Sequence, residues 1–68
     1  MLKVKAGVMP GEIKEYVVED GAIVGDILDI AGLSSDGYQI MVNGAPADDT
    51  TRLTDGAYVV LSKMVKGN

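Results

Sequence analysis

The amino-acid sequence predicts an α+β fold in which a mixed sheet of four to five strands packs on one helix. Apolar residues alternate with polar ones near both ends of the chain, a pattern typical of half-buried strands. One central stretch instead repeats its apolar residues at helical spacing. Such a sheet buries one face against the helix, which gives a two-layer arrangement. Because the chain has 68 residues, we expect residues 1–68 to form a single domain, with 64–68 as a flexible C-terminal tail.

The first two strands are predicted to form an N-terminal hairpin. Residues 2–8 alternate between apolar and polar or small side chains, so one face of this strand is expected to be buried. Met9-Pro10-Gly11 favours a tight turn, because proline presets its own φ and glycine accepts a positive φ. Residues 13–18 follow as the second strand. Two sets of inward-facing residues remain open for it: Tyr16 and Val18, or Ile13 and Val17.

The helix is predicted to begin at Val24 and to stop at Gly32. Its apolar residues fall at positions i, i+3, i+4 and i+7: Val24, Ile27, Leu28 and Ala31. Asp26 suits the positive N-terminal end of the helix dipole. Neither Ala22 nor Ile23 can cap the helix as Ser, Thr or Asp would, which costs about 1 kcal/mol. We therefore expect packing on the sheet to hold this short helix.

The second half of the chain is predicted to form three more strands, at residues 38–42, 45–47 and 57–63. Asn43-Gly44 predicts a type I′ hairpin turn, which needs positive φ at both central residues. Pro46 confines the short strand to an edge of the sheet. Residues 48–53 are expected to be a loop or a single helical turn, and Asp48 favours an Asx or ST turn there. The first and last strands are expected to lie side by side in the middle of the sheet.

The predicted core is small and has no covalent support. A chain of this length buries only about 60% of the surface that its unfolded form exposes. The core is predicted to consist of aliphatic side chains from the strands, the helix and two loops: Leu2, Val4, Val8, Val18, Val24, Ile27, Leu28, Leu33, Ile40, Val42, Leu53, Val59 and Leu61.

The composition excludes several classes of site. The chain has no Cys and no His, so disulfides and zinc sites are excluded, and we expect no metal and no cofactor. Ten acidic residues oppose six basic ones, for a net charge of −4, and without a basic stripe nucleic acid is an improbable partner. No segment has the length of a membrane span, and no His is present as a base for a hydroxyl nucleophile. We expect a cytoplasmic protein that is not an enzyme.

Two stretches of the chain resemble a known superfamily. The first is residues 21–28, Gly-Ala-Ile-Val-Gly-Asp-Ile-Leu, a turn that opens the helix. The second runs from Val42-Asn43-Gly44 through a spacer to residues 53–61, Leu-Thr-Asp-Gly-Ala-Tyr-Val-Val-Leu. With these stretches the chain resembles the ubiquitin-like β-grasp superfamily, and most of all the small sulphur-carrier proteins of thiamine and molybdopterin synthesis. The resemblance implies a β-grasp fold, but this fold serves many functions.

The resemblance also implies a role for the final residues, Lys66, Gly67 and Asn68. In the sulphur carriers the chain ends in two glycines, and a partner enzyme adenylates the last carboxylate before its conversion to a thiocarboxylate. Gly67 matches the penultimate glycine, whereas Asn68 departs from the final one. Glycine suits a tail that threads a narrow channel, because it has no Cβ. On this hypothesis the partner is an adenylating or sulphur-transfer enzyme, and a frayed, solvated terminus is the alternative.

The sheet face turned away from the helix is a second candidate site. The residues predicted to lie there are Met41, Tyr58 and Val60, with Lys3 and Lys5 beside them. An apolar centre with a charged rim is typical of protein-binding surfaces, although β-propensity alone also places single apolar residues on open sheets. We predict a non-enzymatic ubiquitin-like interaction module with a protein partner. The alternative function is a sulphur carrier or covalent protein modifier that acts through its C-terminal carboxylate.

Overall fold

The structure is a computed structural model that describes residues 1–63, and it confirms the predicted α+β arrangement of one helix on a mixed sheet. In chain order the elements are β1 (Leu2–Met9), β2 (Ile13–Val18), α1 (Val24–Ala31), β3 (Tyr38–Val42), β4 (Ala45–Ala47) and β5 (Tyr58–Lys63). The predicted tail, residues 64–68, lies outside the described residues. No helix within residues 1–63 is long and apolar enough to cross a membrane.

The five strands form one sheet in the order β2-β1-β5-β3-β4. β1 and β5 lie side by side in the middle, as predicted, and they pair in parallel. The other pairs, β1 with β2, β3 with β5 and β3 with β4, are antiparallel. Parallel neighbours need a long crossover connection, and the chain between β1 and β5 supplies it with α1. The first and last described strands therefore lie next to each other at the centre of the sheet.

The core lies between the sheet and α1 and agrees with the predicted set. Its largest fully buried side chains are Val4, Val24, Ile27, Val59 and Leu61. Four predicted core residues are only partly buried and pack against its margin: Leu2, Val8, Leu33 and Val42. Three buried alanines were not in the predicted core: Ala6, Ala22 and Ala57. Alanine gives a weak hydrophobic signal in a sequence, but its small size lets the strands and the helix approach closely.

The register of β2 decides between the two alternatives that the sequence leaves open. Val4 of β1 lies opposite Tyr16, and Leu2 lies opposite Val18. Tyr16 and Val18 therefore face the core with the inward side of β1. Val17 faces away, and 53% of its surface is exposed. Ile13, an odd number of residues from Tyr16 and Val18, also lies on the outward side.

The turn between β1 and β2 lies where it was predicted, but Gly11 does not have the predicted positive φ. The Met9-Pro10 peptide bond is cis, and Gly11 is not among the residues with positive φ. Glycine is required at this position by a close approach instead, because a Cβ on Gly11 would lie 2.6 Å from the carbonyl oxygen of Val8. The second hairpin turn is as predicted, since Asn43 has φ 53° and Gly44 has φ 82°.

The start of α1 is uncapped by its own N-cap side chain, as predicted, but the backbone amides there do have partners. The amide of Val24 donates to the carbonyl of Thr51 at 2.9 Å, and that of Gly25 donates to the carbonyl of Asp49 at 2.8 Å. The Asp26 carboxylate accepts a hydrogen bond of 3.0 Å from the Ile23 amide. The loop after β4 thus provides acceptors that the local sequence lacks. The helix stops at Gly32, as predicted.

Candidate protein-binding face of the sheet

One face of the sheet packs on α1, and we call the opposite face, which no described element covers, the outer face. Successive side chains of a strand point to opposite faces, so the residues between the buried ones lie on the outer face. The structure places all five sequence-predicted residues of the sheet site there: Lys3, Lys5, Met41, Tyr58 and Val60. These residues come from β1, β3 and β5, the three central strands.

The outer face carries a row of apolar or small residues that crosses the whole sheet. In β5, Val60 lies opposite Met41 of β3 on one side and opposite Gly7 of β1 on the other. Met41 in turn pairs with Pro46, and Gly7 pairs with Ile13. We call these five residues the apolar row. Directly opposite residues have Cβ atoms about 5 Å apart, so their side chains form one continuous surface.

Gly7 lets the side chain of Ile13 join this row. A Cβ on Gly7 would lie 2.7 Å from Cδ1 of Ile13 and would also collide with the carbonyl oxygen of Glu12. The Ile13 side chain therefore lies over the backbone of β1, in the space that a larger residue would fill. Sequence reasoning missed Ile13 and Pro46 as members of the site. Gly7, between Ala6 and Val8 in an otherwise regular strand, is the signal that could have found Ile13.

The positive charges of the outer face lie to one side of the apolar row. In the sheet register, Lys5 lies opposite Tyr58 of β5 and opposite Glu15 of β2, while Lys3 lies opposite Val17. Neither Lys3 nor Lys5 forms an ion pair with any residue in the described part of the chain. Tyr58 is 40% exposed and lies level with Lys5, next to the apolar row. The face thus combines an apolar centre with an aromatic residue and a partly basic rim.

Backbone hydrogen bonds hold these residues in place. The Tyr58 amide donates to Oδ1 of Asn43 at 3.0 Å, and the Asn43 amide donates to the Tyr58 carbonyl at 2.9 Å. The Lys3 amide donates to Oδ1 of Asp55 at 2.9 Å, and the Gly56 amide donates to the Lys3 carbonyl at 2.7 Å. The predicted turn at Asn43-Gly44 and the turn at Asp55-Gly56 therefore position the outer face as well as reversing the chain.

The described residues offer contacts for recognition and few groups for chemistry. Within residues 1–63, no three His, Cys, Asp or Glu side chains are placed to hold a metal ion. All buried side chains of the described core are apolar. Hydrogen bonds from Thr50, above all from its hydroxyl, lower the pKa of Asp48, but this carboxylate is exposed and shapes a loop.

The second sequence-predicted site, Lys66, Gly67 and Asn68, lies outside the described residues. Its point of attachment is described: β5 ends at Lys63, which pairs with Tyr38 of β3. The neighbouring pair on β1 is Met9 with Ser62. The chain therefore enters its last residues from the central strand, next to the β1–β2 turn.

Several solved structures have a similar fold. The crystal structure of SAMP1 from Haloferax volcanii matches with a TM-score of 0.77 and 19% identity, over 97% of this chain and 99% of that one. The ubiquitin of Caldiarchaeum subterraneum matches with a TM-score of 0.64 and 23% identity, over 98% of each chain. A protein designed de novo on the basis of ubiquitin matches with a TM-score of 0.69 and 17% identity, over 97% of this chain and 92% of that one.

Comparison of the sequence itself with protein-family models and with curated proteins finds no match. The structural likeness shows that the chain has a ubiquitin-like β-grasp fold, as its sequence resemblance implied. At these levels of identity the likeness concerns the fold, because one fold hosts many functions.

Proposed function

We propose that this protein is a non-enzymatic ubiquitin-like interaction module, active in the cytoplasm, that binds a protein partner through its outer face. One observation carries the proposal: the apolar row crosses all five strands on a face that no described element covers. An uncovered apolar surface of this extent costs free energy in water, and a partner that covers it recovers that free energy.

The chemistry of the face indicates what kind of partner it takes. Met41 and Tyr58 are residue types enriched in interface centres, and the flexible methionine adapts to the shape of a partner. Lys3 and Lys5 have no ion-pair partner among residues 1–63, so they attract carboxylates at the rim. We therefore expect an apolar partner surface with acidic residues on the side that meets β1.

Chemical-shift mapping with a purified partner tests this proposal. Candidate partners are found by photo-crosslinking from Gln39, an exposed residue of β3 that lies on the same face of the sheet as Met41. In ¹H–¹⁵N spectra of this protein, the partner should shift the amides of Met41, Tyr58 and Val60. Shifts confined to α1 would refute the proposal.

Two matched variants separate the outer face from the helix side. Tyr58→Glu places a charge beside the apolar row and should weaken partner binding by at least about tenfold. Ile30→Glu makes the same kind of change at an exposed aliphatic residue of α1 and should leave this affinity unchanged. Equal losses in the two variants would contradict a specific site on the outer face.

A second candidate function is a sulphur carrier or covalent modifier that acts through the C-terminal carboxylate, with an adenylating or sulphur-transfer enzyme as the partner. Gly67 supports it, because this residue matches the penultimate glycine of the carriers. The end of β5 at Lys63 supports it too, because a central strand leads the chain into the tail. Intact mass of protein from its native host would reveal a terminal adenylate or thiocarboxylate. An unmodified Asn68 terminus under sulphur-demanding growth would count against this function.

A further inference from the structure

We propose that a groove beside β2 is a second protein-binding site, which takes an extended, cationic segment of a partner protein as an additional strand of the sheet. The groove has a volume of about 550 Å³ and lies between the end of β2, the turn that follows and one side of α1. It shares Val17 with the edge of the outer face but contains no residue of the apolar row, so this proposal does not depend on the function proposed above.

The backbone of β2 is the first observation. β2 is an edge strand that pairs only with β1 among the described strands. An edge strand presents unpaired N–H and C=O groups, to which an extended peptide can pair. The other edge is protected, because β4 has only three residues and its central Pro46 has no N–H. β2 has six residues without proline, and its last half, Tyr16-Val17-Val18, carries no charge.

Exposed aliphatic side chains are the second observation. Val17 is 53% exposed and Ile30 is 57% exposed, and both line the groove. The side chains of an added strand alternate between the two faces of the sheet. One set would therefore face α1 and contact Ile30, while the other set would lie beside Val17. The methylene groups of basic residues in the first set would cover Ile30, and apolar residues in the second set would bury Val17.

The charge of the groove is the third observation and decides the chemistry of the partner. Four carboxylates line the groove, from Glu19, Asp20, Asp26 and Asp29, and no Lys or Arg lines it. The N-terminal amine of Met1 pairs with Asp20 at 3.1 Å. Glu19 and Asp29 form no ion pair with a described residue. Lys or Arg side chains of a bound segment would supply the missing counter-charges.

On α1 the acidic and apolar contacts lie together. Asp26, Asp29 and Ile30 are spaced i, i+3 and i+4, so they share one side of the helix. A segment that alternates basic and apolar residues matches this combination when its basic residues face α1, because their methylene groups cover Ile30 and their charges reach Asp26 and Asp29.

The same observations disfavour the other occupants of this edge. A second copy of this chain also carries a net charge of −4, so electrostatic repulsion opposes edge-to-edge pairing of two copies. The C-terminal residues of the same copy continue from β5 beside Met9, whereas the groove lies at the opposite end of β1, where Leu2 pairs with Val18. An extended, cationic segment of another protein would pair with the edge backbone groups of β2 and would also supply counter-charges to the carboxylates of the groove.

A synthetic probe tests the proposal on the full chain. The probe is a short, acetylated and amidated peptide in which arginine and valine alternate, and the control peptide has glutamate in place of arginine. The arginine peptide should shift the amides of Tyr16 to Gly21 and of Asp26 to Ile30, and its affinity should fall as salt is added.

Two further peptides carry N-methyl groups on the valine amides or on the arginine amides. Strand addition predicts that one of these two loses binding by at least about tenfold while the other retains it.

Two lysine variants locate the site. Ile30→Lys removes the aliphatic contact and adds a repelling cation at an exposed position, so it should weaken the arginine peptide by at least about tenfold. Tyr58→Lys makes the matched change on the outer face and should leave the peptide affinity unchanged. The proposal is overturned if Ile30→Lys binds as well as the unmodified chain or if the two N-methylated peptides bind equally. It is equally overturned if the peptide shifts the amides of the apolar row and not those of Tyr16 to Gly21. It is also overturned if sedimentation shows that β2 is already occupied in a dimer of this chain.

Discussion

At the scale of single residues, Asp48 shows how one side chain organises a loop that other elements depend on. Its Oδ1 accepts hydrogen bonds from the Thr50 amide at 3.0 Å and the Thr50 hydroxyl at 2.6 Å. A third bond of 3.2 Å comes from the Thr51 hydroxyl. These bonds favour the ionised carboxylate and lower the pKa of Asp48 below its ordinary value of 3.8. The turn that they form confirms the predicted Asx or ST turn and fixes the carbonyls that meet α1.

We predict that Thr50→Val raises the pKa of Asp48 towards 3.8, because the hydroxyl bond is the largest cause of the lowered value. The pKa is measured by following the Asp48 carboxyl carbon by NMR as pH falls. Since the pKa is lowered in the folded state, Asp48 stabilises the fold above its unfolded-state pKa, and this contribution is lost as pH falls through the folded-state pKa. Thr50→Val should therefore flatten the acid side of the stability curve. Thr54→Val, which removes a hydroxyl that does not bond Asp48, should leave that pKa unchanged.

Gly7 is the residue on which the apolar row depends most directly. We predict that Gly7→Ala destabilises the protein by about 2 kcal/mol, since the new methyl group would collide with Ile13 and with the backbone of Glu12. The measurement is urea unfolding followed by circular dichroism. Lys5→Ala, on the same strand and the same face, should change the free energy of unfolding by less than about 0.5 kcal/mol. A Gly7→Ala protein as stable as the original would show that Ile13 does not lie over β1.

At the scale of elements, α1 illustrates how tertiary contacts replace missing local signals. Its short length and its aliphatic N-cap, Ile23, predict a weak helix start, and the structure shows that Ile23 contributes no cap. Acceptors come from elsewhere, since the carbonyls of Asp49 and Thr51 receive the first two helix amides. The helix therefore depends on the loop that Asp48 organises.

Within α1, we predict that Asp26→Ala lowers the free energy of unfolding by about 0.5–1 kcal/mol. Asp26 accepts a hydrogen bond from the Ile23 amide and lies near the positive end of the helix dipole. Thermal unfolding measures the effect, and Asp29→Ala is the matched control, because Asp29 is also exposed but lies one turn later. If the two variants lose equal stability, the hydrogen bond to Ile23 contributes nothing specific.

Most elements could be predicted because their patterns are local. Strict alternation identifies β1, and positive φ at Asn43 and Gly44 follows from the chemistry of that turn. The place of the β1–β2 turn was predicted, but the reason for Gly11 was not, because the need for glycine there comes from the close approach of the Val8 carbonyl. This contact exists only in the folded hairpin, so a turn rule based on the φ preferences of single residues cannot predict it.

At the scale of the whole molecule, the central strands β1 and β5 are expected to be the part of the sheet that opens least readily. We predict that the amides of Val4 and Leu61 exchange with solvent most slowly, since β1 and β5 are paired on both sides and these residues are fully buried. Hydrogen exchange by NMR measures this, and the edge strand β4 should exchange much faster. Rapid exchange at Val4 and Leu61 would contradict a sheet in which these two strands are central.

The molecule also separates two surfaces of opposite charge. The outer face has Lys3 and Lys5 beside the apolar row, whereas the groove beside β2 is lined by carboxylates. If both proposals hold, one small domain binds two chemically different partners at once. Binding of the arginine peptide should then leave affinity for an outer-face partner unchanged.

The sequence by itself determined the α+β class, the stop of α1 at Gly32 and the presence of Met41, Tyr58 and Val60 on one face. Each of these follows from periodicity or from the chemistry of a few adjacent residues. Only the tertiary structure decided that Tyr16 and Val18 face the core, that Ile13 extends the apolar row over Gly7, and that β2 borders an acidic groove. The physical reason is that register, close backbone approach and the convergence of charges depend on pairs of residues far apart in the chain.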